Sequence, residues 1–126
     1  PTFLQIRNHL EADIVNLSLS GQTTMVENLL RYVDLFADIN YEAYKFAGRG
    51  LLNANRVDEA EQYLLKGQKL LPHDPEVYYH LGQFYFAKKQ FKEARLVLQQ
   101  CLLITKFYTP AEELIQELDK QGVSSE

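Results

Sequence analysis

The sequence predicts an all-α chain in which antiparallel helix pairs recur along the length, and three observations carry that prediction. Residues 75–108, PEVYYHLGQFYFAKKQFKEARLVLQQCLLITKFY, align without a gap on residues 41–74, YEAYKFAGRGLLNANRVDEAEQYLLKGQKLLPHD. Tyr44 then falls on Tyr78, Gly48 on Gly82, Leu51 on Tyr85, Val57 on Phe91, Ala60 on Ala94 and Leu64 on Leu98, every pair separated by the same interval. Within each copy the apolar residues advance by three or four, which is the helical period. The strong helix breakers cluster where one copy gives way to the next, at Leu71-Pro72-His73-Asp74-Pro75 and Thr109-Pro110.

Taken in order, Phe3, Ile6, Leu10, Ile14 and Leu17 form one apolar stripe, with Arg7, Glu11 and Asp13 off it. This first helix is expected to end by Ser20-Gly21, where glycine can take the left-handed conformation. Thr23 or Thr24 is placed to cap the second helix, with Glu27 near the third helical position. Met25, Val26, Leu29, Leu30, Val33, Phe36 and Ala37 supply its buried stripe. Counting back by the same interval sets Gly21, Val26, Leu30 and Val33 against Asn55, Ala60, Leu64 and Gly67, so residues 7–40 are expected to be a cryptic repeat in the same register.

Helices three and four are expected over residues 42–54 and 57–70, turning at Asn53, Asn55 and Arg56. Asp58 and Glu59 sit at the positive end of the fourth helix's dipole. Pro72 and Pro75 lack the amide hydrogen that would continue that helix. Asp74 is a good cap for the fifth helix, and proline is tolerated at its first position. Helices five and six follow over residues 76–88 and 91–104. A last helix, residues 110–121, turns Leu114, Ile115 and Leu118 one way and Glu112, Glu113, Glu117, Asp119 and Lys120 outward, as a solvating cap ending at Gly122. Residues 123–126 read as a polar tail.

A chain of 126 residues with 46% apolar and 24% charged residues is expected to fold as one domain and is not a disordered sequence. The net charge of −4 argues against a dedicated nucleic-acid binder. That charge is uneven: −3 over residues 1–40, 0 over 41–74, +3 over 75–108 and −4 over 109–126. The basic group Lys88, Lys89, Lys92 and Arg95 is the feature that an acidic partner or a nucleic acid would meet, although four charges in an acidic protein argue little for the latter.

No apolar run approaches the ~20 residues of a membrane span, so no membrane partner is expected. The single cysteine, Cys101, cannot close an intramolecular disulfide, which points to a reducing, cytoplasmic setting. No metal or cofactor is expected, since His9, His73 and His80 lie in separate elements without ligand spacing. Cys101 takes the small buried phase of Gly67, and Gly48-Arg49-Gly50 lies inside a helix rather than after a strand. Neither suggests catalysis, and no enzymatic activity is expected of these residues.

A 34-residue helix-turn-helix unit with Tyr44 and Tyr78, Gly48 and Gly82, and Ala60 and Ala94 at fixed positions resembles the tetratricopeptide repeat family. The resemblance implies a right-handed superhelical solenoid with a C-terminal capping helix, acting as a protein–protein interaction module. The paired glycines and alanines then serve close helix packing, with Leu81 before the second glycine and Ala47 before the first.

In such arrays the first helix of each repeat lines a concave groove. Carried onto this chain, the lining residues are Glu42, Lys45, Arg49, Leu52 and Asn53, then Glu76, Tyr79, Gln83, Phe86 and Ala87, with Glu113 and Glu117 on one wall. Some members grip a C-terminal carboxylate there. This chain departs from that pattern at Arg49 and at the acidic last wall, so a peptide or partner helix anchored on Leu52, Tyr79 and Phe86 is expected instead. Two alternatives stand against this one: the chain is an accessory domain of a larger enzyme such as a glycosyltransferase, with catalysis outside these residues, or it self-associates through its first helix, whose stripe no earlier repeat covers.

Overall fold

The computed structural model describes residues 3–36 and 41–122, with side chains from His9 onward, and every regular element in them is a helix. The seven are α1 (Phe3–Leu19), α2 (Thr23–Phe36), α3 (Ala43–Asn53), α4 (Val57–Leu70), α5 (Pro75–Ala87), α6 (Phe91–Ile104) and α7 (Thr109–Lys120). The limits of α3 to α7 fall within one residue of those the sequence predicts. The roles expected of the Phe3, Ile6 and Arg7 side chains, of Ala37, of the end of the cryptic repeat at 37–40 and of the tail 123–126 lie outside the described residues.

Three hairpin turns share one geometry. Gly21, Asn55 and Lys89, spaced at the repeat interval, have φ of 76°, 61° and 59°. At each turn the following amide reaches back to the last turn of the helix before it: Gln22 to the Leu17 carbonyl at 2.9 Å, Arg56 to Leu51 at 2.8 Å and Gln90 to Tyr85 at 2.8 Å. These are the closing bonds of a Schellman motif. The next helix starts at once, with the carbonyls of Gln22, Arg56 and Gln90 accepting from Val26, Ala60 and Ala94. The cap of α2 is therefore Gln22, and the expected threonine cap is corrected: so tight a turn leaves Thr23 already helical.

Contacts divide the chain into two compact units, Pro1–Leu70 and Leu71–Glu126. In the first, α3 and α4 pair where Gly48 faces Leu64. A Cβ on Gly48 would sit 2.5 Å from Leu64 Cδ2, so any larger residue there would force Leu64 to shift. Gly67 of α4 lies against the Lys45 backbone of α3. Ala47, Leu51, Ala60 and Leu64 are fully buried in this pair.

α1 rests on α3 at Gly50, whose hypothetical Cβ would lie 3.2 Å from Glu11 Cα and 3.2 Å from Ile14 Cβ. Leu10 and Ile14 are buried accordingly. α2 buries Val26, Leu30 and Val33, a strict i, i+4, i+7 row. Met25, expected in that row, is 51% exposed because it lies about a third of a turn away from it. Tyr32 and Phe36 stack at 6.0 Å.

The second unit repeats the pairing. A Cβ on Gly82 would stand 2.5 Å from Leu98 Cδ2 and 2.7 Å from its Cγ. The side chain of Asp74 caps α5 by accepting from the Glu76 amide at 2.9 Å, with Pro75 opening the helix. The Tyr78 hydroxyl donates to the Pro72 carbonyl at 2.8 Å. α7 closes the unit: Ala111 and Leu118 are buried with Leu98 and Cys101, and Leu114 and Ile115 pack against the same cluster. Arg95, expected in the basic surface group, is instead buried and pairs with Asp119 of α7 at 2.5 Å.

Candidate functional site

The side chains expected to bind a partner lie on α3 and α5, and each face is best followed within its own unit. On α3, spacing of three and four sets Glu42, Lys45, Arg49 and Asn53 in one column. Lys45 is only 4% exposed, with its ammonium 3.4 Å from a Glu42 carboxylate oxygen. The Lys45 ammonium and the Arg49 guanidinium lie 5.2 and 5.0 Å from the centre of the Phe46 ring, within cation–π range.

Arg49 and Asn53 converge on one carboxylate of α1. Arg49 Nε donates to Glu11 Oε2 at 2.5 Å, and Asn53 Nδ2 donates to Glu11 Oε1 at 2.9 Å. The Arg49 and Glu11 side chains are each 29% exposed, so this pair is neither desolvated nor a loose surface pair. The α3 face therefore already holds an acidic group, supplied by the chain itself. Leu52 is half-buried beside this column.

Sequence reasoning does not place Glu11 or Phe46 in the site. A signal for Glu11 exists: it stands one repeat interval before Lys45, at the same lining phase in the cryptic repeat. The packing role of Gly50 escapes it as well, and the place of Gly50 in the second copy is taken by Phe84. A glycine that the other copy lacks marks the spot where another backbone comes close.

On α5 two of the side chains expected to line the groove, Tyr79 and Gln83, are joined by a hydrogen bond. Gln83 Nε2 donates to the Tyr79 hydroxyl at 3.1 Å, while Gln83 Oε1 lies 2.8 Å from His80 Nδ1. The Tyr79 ring meets Tyr108 edge-on at 5.6 Å and lies 5.3 Å from the His80 ring. Burial pushes the Tyr79 hydroxyl pKa above its ordinary value, and the Glu113 carboxylate of α7 adds to the shift. Tyr79 is thus a neutral donor and acceptor held in one orientation. His80 and Tyr108 join the set although neither lies at a lining phase.

Phe86 packs edge-on against Phe91 at 5.6 Å and belongs with the side chains covering the core cluster. Glu76 is half-buried at the start of α5, and Ala87 is exposed at its end. Glu113 and Glu117 are exposed on α7.

Among the described residues no three His, Cys, Asp or Glu side chains come together as a metal would require. No described helix is long and apolar enough to cross a membrane. Cys101 is buried, and burial, followed by the nearby Asp74 charge, raises its thiol to about 11. A nucleophile needs the opposite shift.

A family model described as tetratricopeptide repeat matches residues 51–118, more than half of the chain. No curated protein and no solved structure matches it.

Proposed function

The chain belongs to the tetratricopeptide repeat family, whose general role is protein–protein interaction, and from that premise we propose that it is a non-catalytic module binding a peptide or partner helix on the first-helix faces of its repeats. The observation that carries this reading is the Tyr79–Gln83–His80 chain of α5, braced by Tyr108. His80 is buried and Tyr79 and Gln83 are half-buried, and side chains already held in place lose little conformational freedom when a partner docks. Tyrosine supplies contact area and a polar tip together, as binding anchors commonly do.

On α3 the cations Lys45 and Arg49 already contact Glu42 and Glu11. The partner's anchor is therefore assigned to α5, and Leu52 with the Arg49–Glu11–Asn53 cluster forms a face of α3 taken by itself. Glu113 and Glu117 set an acidic border that favours a partner with positive or neutral residues beside its anchor.

The test is a selection of displayed random peptides on the intact chain, followed by calorimetric titration of the enriched peptides. Tyr79→Ala is compared with Lys92→Ala, which lies on the solvent side of α6. Truncating a central anchor typically costs about 2 kcal/mol or more, roughly thirtyfold in affinity. At least one peptide class should lose that much with Tyr79→Ala and nothing with Lys92→Ala, with helicity retained in both. Enriched peptides that are all indifferent to Tyr79→Ala would remove the α5 face as the binding site.

A further inference from the structure

The side of α6 turned away from α5 and α7 carries a second surface. Lys92, Leu96, Gln99 and Leu103 follow one another at steps of four, three and four, so they form a single row along the helix. Lys106 and Phe107 follow just past the helix end, the Lys106 ammonium 5.6 Å from the centre of the Phe107 ring. Leu96, Leu103 and Phe107 are 61%, 79% and 81% exposed, the last two among the most open large apolar side chains described. At a rise of about 1.5 Å per residue the two leucines stand about 10 Å apart.

The preceding copy shows that this apolar row is not a requirement of the fold. One repeat earlier, Leu96, Leu103 and Phe107 are matched by Gln62, Lys69 and His73, and Lys92 is matched by Asp58. The buried positions agree between the copies: Ala60 with Ala94, Leu64 with Leu98, and the glycine contacts at Gly48 and Gly82. Two copies with the same packing therefore differ along one solvent-facing row: the first has Leu65 as its apolar member among polar residues, and the second has Gln99 in that place with Leu96, Leu103 and Phe107 around it. Exposed apolar side chains contribute nothing to folding, and an apolar strip rimmed by charge has the composition of an interaction site.

We propose that the Lys92–Leu96–Leu103 row, with Phe107 just beyond the helix, docks a short protein segment of mixed acidic and apolar composition, on a surface separate from the α5 face. Charge selects this occupant. Lys92 stands at one end and Lys106 at the other, so a second copy of the row would set lysine against lysine in either orientation, which like charges disfavour. An anionic bilayer would meet the field of a protein with net charge −4. A short peptide senses only the charges within a Debye length, about 10 Å at 0.1 M salt. A single row of apolar anchors suits the i, i+3, i+4, i+7 side chains of one amphipathic helix.

To isolate this surface, displayed random peptides are selected on the Tyr79→Ala chain, which disables the α5 face. They are then titrated against a variant that adds Leu96→Gln, Leu103→Lys and Phe107→His, the residues of the first copy. All three positions are exposed, so the melting temperature should not move; each substitution is also made singly in case the triple variant unfolds. The expected result is a peptide class with Asp or Glu interleaved with apolar residues that binds the triple variant at least tenfold more weakly. Binding of that class to the Tyr79→Ala parent should itself weaken as salt rises, because Lys92 and Lys106 attract its acidic residues.

Sedimentation of the parent chain, alone and with phosphatidylserine vesicles, completes the test, and a monomer that leaves the vesicles free is expected. The proposal is overturned if no such class is enriched, if the enriched peptides are basic, or if they bind the triple variant equally. It also fails if the row instead mediates self-association or vesicle binding. None of these failures touches the α5 face, which the Tyr79→Ala comparison on the unmodified chain decides separately.

Discussion

Gly82→Ala should destabilise this protein, although the same change at an open helical position would stabilise it. Alanine gains about 1 kcal/mol over glycine from helix propensity alone. Here the new methyl carbon would stand 2.5 Å from Leu98 Cδ2 and 2.7 Å from its Cγ, and Leu98 has no exposed surface into which it can swing. Overpacking of a filled core costs about 1–3 kcal/mol, so a net loss of roughly 0–2 kcal/mol is expected.

Leu98→Ala alone should cost about 2–5 kcal/mol through lost burial and a cavity. Once Leu98 is truncated the clash disappears, and Gly82→Ala should turn stabilising by about 1 kcal/mol. The sign reversal is the diagnostic, a coupling of about 2 kcal/mol between the two positions, as expected of residues in direct contact. Urea unfolding of the four proteins in the cycle measures it, with the Gly48 and Leu64 pair as a replicate. If the two changes add within about 0.5 kcal/mol, the close contact does not limit the pairing of α5 with α6.

Lys89→Gly should raise the melting temperature, because Lys89 holds φ of 59° at a turn where a side chain costs about 1–2 kcal/mol. Part of that gain is offset by the greater freedom of glycine in the unfolded chain. Asn55→Gly should help less, since asparagine tolerates that region. Alkali should destabilise the protein. The Cys101 thiol is raised from 9.0 to about 11 and the Tyr63 hydroxyl from 10.0 to about 12, the latter by burial first and then by Asp34, Glu59 and Tyr44. Both groups are neutral when protonated, so the folded state keeps its protons while the unfolded state loses them. Stability is therefore full below about pH 9 and falls through about pH 9–12, by at most about 1.4 kcal/mol per pH unit for each group. Tyr63→Phe should flatten the upper portion of that fall and leave the earlier one; an unchanged profile would refute the assignment.

The helices were legible because three independent signals coincide in this chain. The repeat register, the three-to-four step of apolar residues and the proline and glycine punctuation all place the boundaries alike. Where only one signal spoke, the reading slipped. Met25 is apolar and adjacent to the buried row of α2, yet only Val26, Leu30 and Val33 can share its inner side. Lys89 carries no turn preference of its own, and only its register with Asn55 marks its left-handed conformation. The docking of α1 had no repeated signal at all, because it rests on Gly50, which the second copy replaces with Phe84.

The lining side chains were harder to read for a physical reason. Phase along a helix tells which side a residue occupies, but not which neighbouring element has already claimed it. Lys45, Arg49 and Asn53 are at the lining phase, and two of them close on Glu11 while Lys45 sinks beside Glu42 and Phe46. Tyr79 and Gln83 are at the same phase and are instead joined to His80 and Tyr108, which no phase rule selects. Core positions must satisfy the same packing in each copy and so resemble one another, as Gly48 with Leu64 and Gly82 with Leu98 show. Surface positions carry no such constraint. A departure between copies there, as in Asp58, Gln62, Lys69 and His73 against Lys92, Leu96, Leu103 and Phe107, is where one repeat can acquire a contact that its neighbour does not make.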